Sequence, residues 1–308
     1  MRKHLTEQEK KAILELLSKG LSLKAICKTL FGDKNKRRST VYDFLKSINY
    51  EHNRKINVLL LDLETSPMKT YVWGRWNQNI YQDNVLSESF ILTYAAKWLG
   101  ADLVSSGSLT KEEVLKENDK RLVLELKELL NNADYVIAHN GDKFDIPFIK
   151  TRMIFHDIKP SSPFKQYDTL RVARRVFKFS SNKLNDLCLY LGLEGKSDNG
   201  GFLTWKGFLE GDQEKIDLMI SYNIDDVHAL ERLYLKLRPY DNFHPNFSIN
   251  LNVENVCPCC GAEEQMIKVD KLHLTNINRY EIWRCENCGK YSRKRKLINR
   301  DPVNFVGV

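Results

Sequence analysis

Residues Ile56–Pro67 read INVLLLDLETSP. From Ile56 to Leu61 the chain is almost wholly apolar and branched, the pattern of a strand buried on both faces. Asp62-Leu63-Glu64 follows, and Pro67 ends the strand. Alternation puts Asp62 and Glu64 on one side and Leu63 on the other. Two carboxylates at the end of a greasy strand repel each other and are costly to desolvate. A cation between them removes both costs, and an all-oxygen donor set suits Mg²⁺ or Mn²⁺. A solvated turn just past the strand end is the plainer reading of the same residues.

Two further stretches bear on that choice. In Tyr135–Phe148, YVIAHNGDKFDIPF, the segment Val136-Ile137-Ala138 reads as a short apolar strand and His139-Asn140-Gly141 as a turn. Phe144 to Phe148 opens a helix, with Asp145 near its start. Ser221–Leu233, SYNIDDVHALERL, lies inside a helical pattern from Gln213 to Leu237. There Tyr222 and Asp226 stand four apart and share one helix face.

Taken together, DxE (Asp62, Glu64), NxxxFD (Asn140, Phe144, Asp145) and YxxxD (Tyr222, Asp226) resemble the DEDDy branch of the 3′→5′ exonuclease superfamily. That branch has an RNase H-like fold and includes the proofreading domains of DNA polymerases. The resemblance covers Ile56 to Pro239, and the helical segment Lys183–Gly192 (KLNDLCLYLG) is also similar to one in these nucleases. It implies an α/β fold, an RNase H-like mixed sheet flanked by helices. It also implies two Mg²⁺ or Mn²⁺ ions about 3.5–4 Å apart. Asp62 would bridge them, Glu64 and Asp226 would complete the first site, and Asp145 would serve the second. Tyr222 would orient the attacking water. Asp225 misses the YxxxD spacing and is at best a supporting residue, Asn140 shapes the turn, and Asp168 either supports the site or caps a helix.

The 308 residues allow one substantial core plus small modules. No apolar run is long enough to span a bilayer. The charged start MRKHLTEQEKK lacks the apolar region of a secretory signal. The expected location is cytoplasmic, in a bacterium or a phage-infected host, with no membrane partner. The net charge of +8 is uneven. Residues 1–55 hold 14 Lys+Arg against 6 Asp+Glu, residues 251–308 hold 10 against 7, and the middle is slightly acidic at −3. The flanks carry the attraction for a polyanion, DNA.

Residues 1–50 read as three short helices and resemble a helix-turn-helix domain. Thr6–Lys19 is closed by Gly20, a second helix is capped by Ser22 and closed by Gly32, and a third is capped by Ser39. The link GDKNKRR (Gly32–Arg38) exceeds a tight turn and reads as a basic loop. Lys34, Lys36, Arg37, Arg38, Thr40 and Tyr42 are the expected nucleic-acid contacts. A helical module for protein contacts is the alternative. Within the core, Thr70–Trp76 and Phe90–Leu99 read as strands and Leu103–Leu109 as an edge strand. Tyr71, Trp73, Trp76, Tyr94 and Trp98 are either core or stacking partners for unpaired bases. Trp205–Leu209 is a candidate channel wall.

Five of the seven cysteines lie in one C-terminal cluster. Cys257-Pro-Cys259-Cys260-Gly and, 24 residues on, Cys285-Glu-Asn-Cys288-Gly give two CxxC pairs, each followed by glycine. This is a zinc-ribbon signature, with Cys257, Cys260, Cys285 and Cys288 as ligands of one structural Zn²⁺ and Cys259 spare. Cys27 and Cys188 read as buried small hydrophobes. The domains expected are a helix-turn-helix-like domain (1–50), the exonuclease domain (55–240) and the zinc ribbon (253–300). The activity expected is two-metal 3′→5′ hydrolysis of DNA, single strands favoured, with duplex DNA a further partner. An exoribonuclease, a transposase or integrase, and an inactive binding protein on the same fold are the alternatives.

Overall fold

The computed structural model describes residues 5–18, 23–33, 37–48, 56–195, 200–249, 255–275 and 278–297. Residues 56–244 form one compact unit, and the two ends of the chain fall in a second.

The central unit is built on β1 (Val58–Thr65), whose Leu59, Leu60 and Leu61 are completely buried. A two-stranded ribbon follows, β2 (Lys69–Thr70) paired antiparallel with β3 (Val85–Ser87). The extended reading of Thr70–Trp76 therefore holds only for its first residue; Tyr71 onward is irregular and exposed. Next come β4 (Ile91–Trp98), β5 (Val104–Ser108), α4 (Lys111–Leu115) and α5 (Lys120–Asn132). After them run β6 (Tyr135–Ala138), α6 (Asp145–Phe155), β7 (Lys165–Asp168), α7 (Thr169–Val176), α8 (Leu184–Tyr190), α9 (Phe202–Glu210) and α10 (Gln213–Leu237).

The main sheet has the order β5-β4-β1-β6-β7. The β5–β4–β1 pairs are antiparallel and the β1–β6–β7 pairs parallel. This is the mixed sheet with flanking helices that the motifs imply, and β5 is the edge strand expected there. One core runs from β1 and β4 to α5, α6 and α10. Tyr94 and Trp98 belong to it, so neither is a stacking surface. At its edge the bidentate pair of Arg152 with Asp119 (2.8 Å twice) is fully enclosed, and Asp119 also accepts the Ile91 N–H. Burial pushes the Asp119 pKa upward, but these bonds outweigh it and hold the carboxyl below its ordinary range.

α10 is fastened to the sheet by polar groups as well as by packing. Lys97 on β4 pairs with Glu231, which also accepts the Gly100 N–H. The Thr93 hydroxyl donates to the Asn223 side chain at 3.4 Å. β4 and α10 are thus held in register. No helix among the described residues is long and apolar enough to cross a membrane.

In the second unit, α1 (Glu7–Ser18), α2 (Leu23–Phe31) and α3 (Arg38–Ser47) enclose Ile13, Ile26, Cys27, Val41 and Leu45. Ser39 is the second residue of α3 and so does not cap it; Ser22, Lys34 and Lys36 lie outside the described residues. The C-terminal segment forms an antiparallel sheet of β8 (Met266–Leu274), β9 (Arg279–Cys285) and β10 (Tyr291–Leu297), in the order β10-β9-β8. Its side chains are mostly exposed; the buried cluster is Cys257, Cys259 and Cys285, flanked by Cys260, Ala262, Met266 and Cys288.

Candidate active site

Alternation along β1 turns Asp62 and Glu64 to the same side, opposite the buried Leu63. Asp226 on α10 meets them there. One carboxylate oxygen from each of Asp62, Glu64 and Asp226 lies within 4.8 Å of the others. Tyr222, one turn earlier on α10, lines the same cleft, which has a volume of about 500 Å³. Three acids this close repel one another unless a cation or protons intervene. The donor set is all oxygen, as a hard divalent cation requires.

Asp145 stands outside that group. Its carboxyl is buried at the start of α6 and accepts its own backbone N–H and that of Leu63, the residue between Asp62 and Glu64. Burial pushes its pKa up to about 7, against those two hydrogen bonds and with the help of the nearby Asp168 charge. An unfolded aspartate titrates near 4. Between about pH 4 and 7 the folded chain therefore binds the extra proton, and stability falls as pH rises through that window. Asp145→Asn should raise the stability of the metal-free protein by about 2–4 kcal/mol at pH 8 and change it little at pH 4. Equal melting shifts at the two pH values would show that the charge on Asp145 is not the cause.

Four neighbours went unassigned in the sequence. Asn223 is completely buried, and its amide donates to Asp62 at 2.6 Å. It fixes the rotamer of the first carboxylate from the helix that brings the third. Its signal was an amide beside Tyr222 on a face that packs against β1 and β4. Lys183 and Asn185, at the start of α8, line the cleft; the nuclease-like helix expected there carries no site assignment for either residue. His139 also lines it; its Nε2–H donates to the Asn182 carbonyl and its Nδ1 meets Thr169 Oγ1, both at 2.9 Å.

Other expectations resolve into structural roles. Asp168 caps α7, accepting from Leu170 and Arg171, and takes the Asn140 N–H at 3.0 Å. Asn140 has φ 73°, the left-handed turn that an asparagine tolerates. Asp225 lines a different pocket, with His228 and Arg232. Trp205 is half-buried and donates its indole N–H to the Thr65 carbonyl, bracing the end of β1 without lining the cleft. A larger groove, about 730 Å³, lies between α6 and the segment 157–164. Asp157 is the one acid lining it, so it lacks the donors that the cleft has.

The four cysteines form a second cluster, with all four sulfurs within 4.8 Å. Cys257–Cys288 and Cys260–Cys285 are each 3.7 Å apart. Sulfurs placed tetrahedrally about 2.3 Å from one ion lie about 3.8 Å from each other. Gly261 (φ 72°) and Gly289 (φ 77°) close the two knuckles, donating their N–H groups to the carbonyls of Cys257 and Cys285. A hydrogen bond from the Cys257 thiol pulls Cys260 down to about 4 and pushes Cys257 up. Burial and the Cys260 charge hold Cys288 up. One thiolate suppresses the next, and a dication reverses this. Cys259 is buried outside the four, its N–H directed at Cys257 Sγ.

Residues 78–238, just over half of the chain, match the RNase_H superfamily. The chain belongs to the RNase_H superfamily. The stretch that places it there includes Asp145, Tyr222 and Asp226 and begins after Asp62 and Glu64. An alignment over 147 residues, covering 45% of this RNase_H superfamily chain, shows 26% identity to a DNA polymerase III PolC-type of Ureaplasma parvum. The chain spans about a tenth of that relative's length. Among solved structures, the family B DNA polymerase of the hyperthermophilic archaeon Pyrobaculum calidifontis aligns at 14% identity with a TM-score of 0.45, covering 60% of this chain and 25% of that one.

Proposed function

We propose that this chain is a metal-dependent 3′→5′ exonuclease that hydrolyses DNA phosphodiester bonds, with single strands favoured. The observation that carries the reading is the three-carboxylate cluster of Asp62, Glu64 and Asp226, with Tyr222 lining the same cleft. The name of the Ureaplasma relative supports DNA as the substrate. The cluster fits Mg²⁺ or Mn²⁺ by its oxygen-only donors and by the mutual repulsion that a cation relieves. Divalent ions bound there supply Lewis-acid stabilisation of the phosphoryl charge and a more acidic attacking water.

The chain's own residues do the rest. Asp62, Glu64 and Asp226 would hold the cations, with Asp145 as a further ligand. Asn223 keeps Asp62 pointed into the cleft. The Tyr222 hydroxyl hydrogen-bonds the attacking water, and Lys183 neutralises a phosphate oxygen at the cleft wall. Cys257, Cys260, Cys285 and Cys288 hold a structural Zn²⁺ within a ribbon of residues 253–300, and residues 55–240 are the nuclease. Residues 1–50 add a basic helical module for DNA. Arg38, Thr40 and Tyr42 on α3 are its contacts; Arg37 is engaged by Glu9 at 2.5 Å and by the Phe31 ring, which leaves it less available.

Chelation should abolish hydrolysis of single-stranded DNA, and Mg²⁺ or Mn²⁺ should restore it; activity that survives chelation excludes the reading. Tyr222→Phe keeps the ring and removes only the hydroxyl. It should lower kcat by about 10–100-fold with little change in KM. An unchanged kcat would reduce Tyr222 to packing.

A further inference from the structure

Four large aromatic side chains are fully or mostly exposed in one short stretch, Tyr71, Trp73, Trp76 and Tyr81. Trp73 is 100% exposed and Trp76 82%. They serve no core: the stretch hangs between β2 and β3, and the sheet closes without it. Rings of this size left in water forgo the main driving force of folding. Their position in the chain supplies a reason. β1 delivers Glu64 to the cleft, and seven residues later the chain reaches Tyr71. That limits the separation to about 25 Å at full extension.

The stretch is also shaped and charged for one kind of occupant. Its shape is held from within: the Gln78 amide donates to the Trp76 carbonyl at 2.6 Å, and the Tyr71 N–H to the Asn84 carbonyl at 2.9 Å. From Thr65 to Gln82 it carries Lys69 and Arg75 and no acid. Beside the rings stand Asn77, Gln78 and Asn79, neutral amides that hydrogen-bond without repelling phosphate. Flat rings, an exposed arginine and no acid match a single-stranded polynucleotide, in which every base has a π-face. The acidic cleft itself repels phosphate and gains from a second hold on the strand.

We propose that residues 71–81 are a stacking platform for the unpaired bases of the strand whose end lies in the cleft. This rests on the nuclease reading, deepens it to a single-stranded substrate, and assigns the holding step to Trp73 and Trp76. The test uses the full chain with Mg²⁺ and two substrates. One is the p-nitrophenyl ester of thymidine 5′-phosphate, which fills only the cleft; the other is an oligothymidylate of about 15 nucleotides.

The double variant Trp73→Ala, Trp76→Ala should raise KM for the oligonucleotide about tenfold or more and leave kcat, and all ester kinetics, within about twofold of wild type. Trp73→Phe, Trp76→Phe should recover most of the loss, because a smaller ring still stacks. An unchanged oligonucleotide KM in the alanine variant overturns the proposal. So does a changed sedimentation coefficient with oligonucleotide binding intact, which would make the rings a contact between copies of this chain. If the wild-type protein hydrolyses neither substrate, the nuclease reading fails by itself. The platform is then read by quenching of intrinsic tryptophan fluorescence with oligothymidylate, where the alanine variant must bind about tenfold more weakly for the proposal to stand.

Discussion

Asp62→Ala should reduce hydrolysis of single-stranded DNA by about 10³-fold or more while the protein stays folded. Asp62 is the carboxylate that both strand and helix are arranged to present: β1 carries it, and Asn223 on α10 fixes it at 2.6 Å. On the proposed reading its removal takes away a cation ligand that no neighbour replaces, because Glu64 and Asp226 already belong to the same cluster. The cost to stability should be small. The buried Asn223 amide loses an acceptor, but two acids no longer face a third. Thermal unfolding in chelator would measure this, and melting near the wild-type value alongside lost turnover is the expected pair. A rate close to wild type with Mg²⁺ would mean that Asp62 holds no catalytic cation.

Cys285→Ser should have an equally large effect at the other end of the chain. The purified protein should carry about one zinc per chain, and the variant almost none. β8 is largely exposed and β9 mostly half-buried, and their buried cluster consists chiefly of the cysteines themselves. On the proposed zinc reading, a sheet with so little apolar core stands only with its metal, whose binding contributes about 10–16 kcal/mol in comparable small sites. Limited proteolysis should therefore cut the variant after residue 255 and leave residues 56–244 intact. A zinc-free wild-type protein, or a variant as resistant as wild type, would remove the metal from the account.

Much of this was legible in the sequence, for a physical reason. β1 and α10 are long and regular, so a period of two and a spacing of four fixed which side chains share a face before any contact was known. The CxxCG pairs were equally readable, because the knuckle is local: the cysteines, the turn and the glycine are adjacent in the chain. What was not readable depends on packing across long separations. Asn223 meets Asp62 only because α10 crosses β1, and Lys183 reaches the cleft only because α8 starts beside it. The same limit misled the reading of Tyr71–Trp76. Aromatic and β-branched residues resemble a strand wherever they occur, and whether they are covered is decided by the rest of the fold. Trp98 is covered and Trp73 is not. Ser39 shows the limit at its smallest: a good cap residue lies two positions too late, because α3 already begins at Arg38.

The most direct measurement is the product pattern from a single-stranded DNA labelled at its 5′ end and incubated with Mg²⁺. The account predicts a ladder that shortens one nucleotide at a time from the 3′ end, releases mononucleotides, and disappears in Asp62→Ala. Internal cuts, joined strands, shortening from the 5′ end, or hydrolysis of RNA with DNA left intact would contradict it.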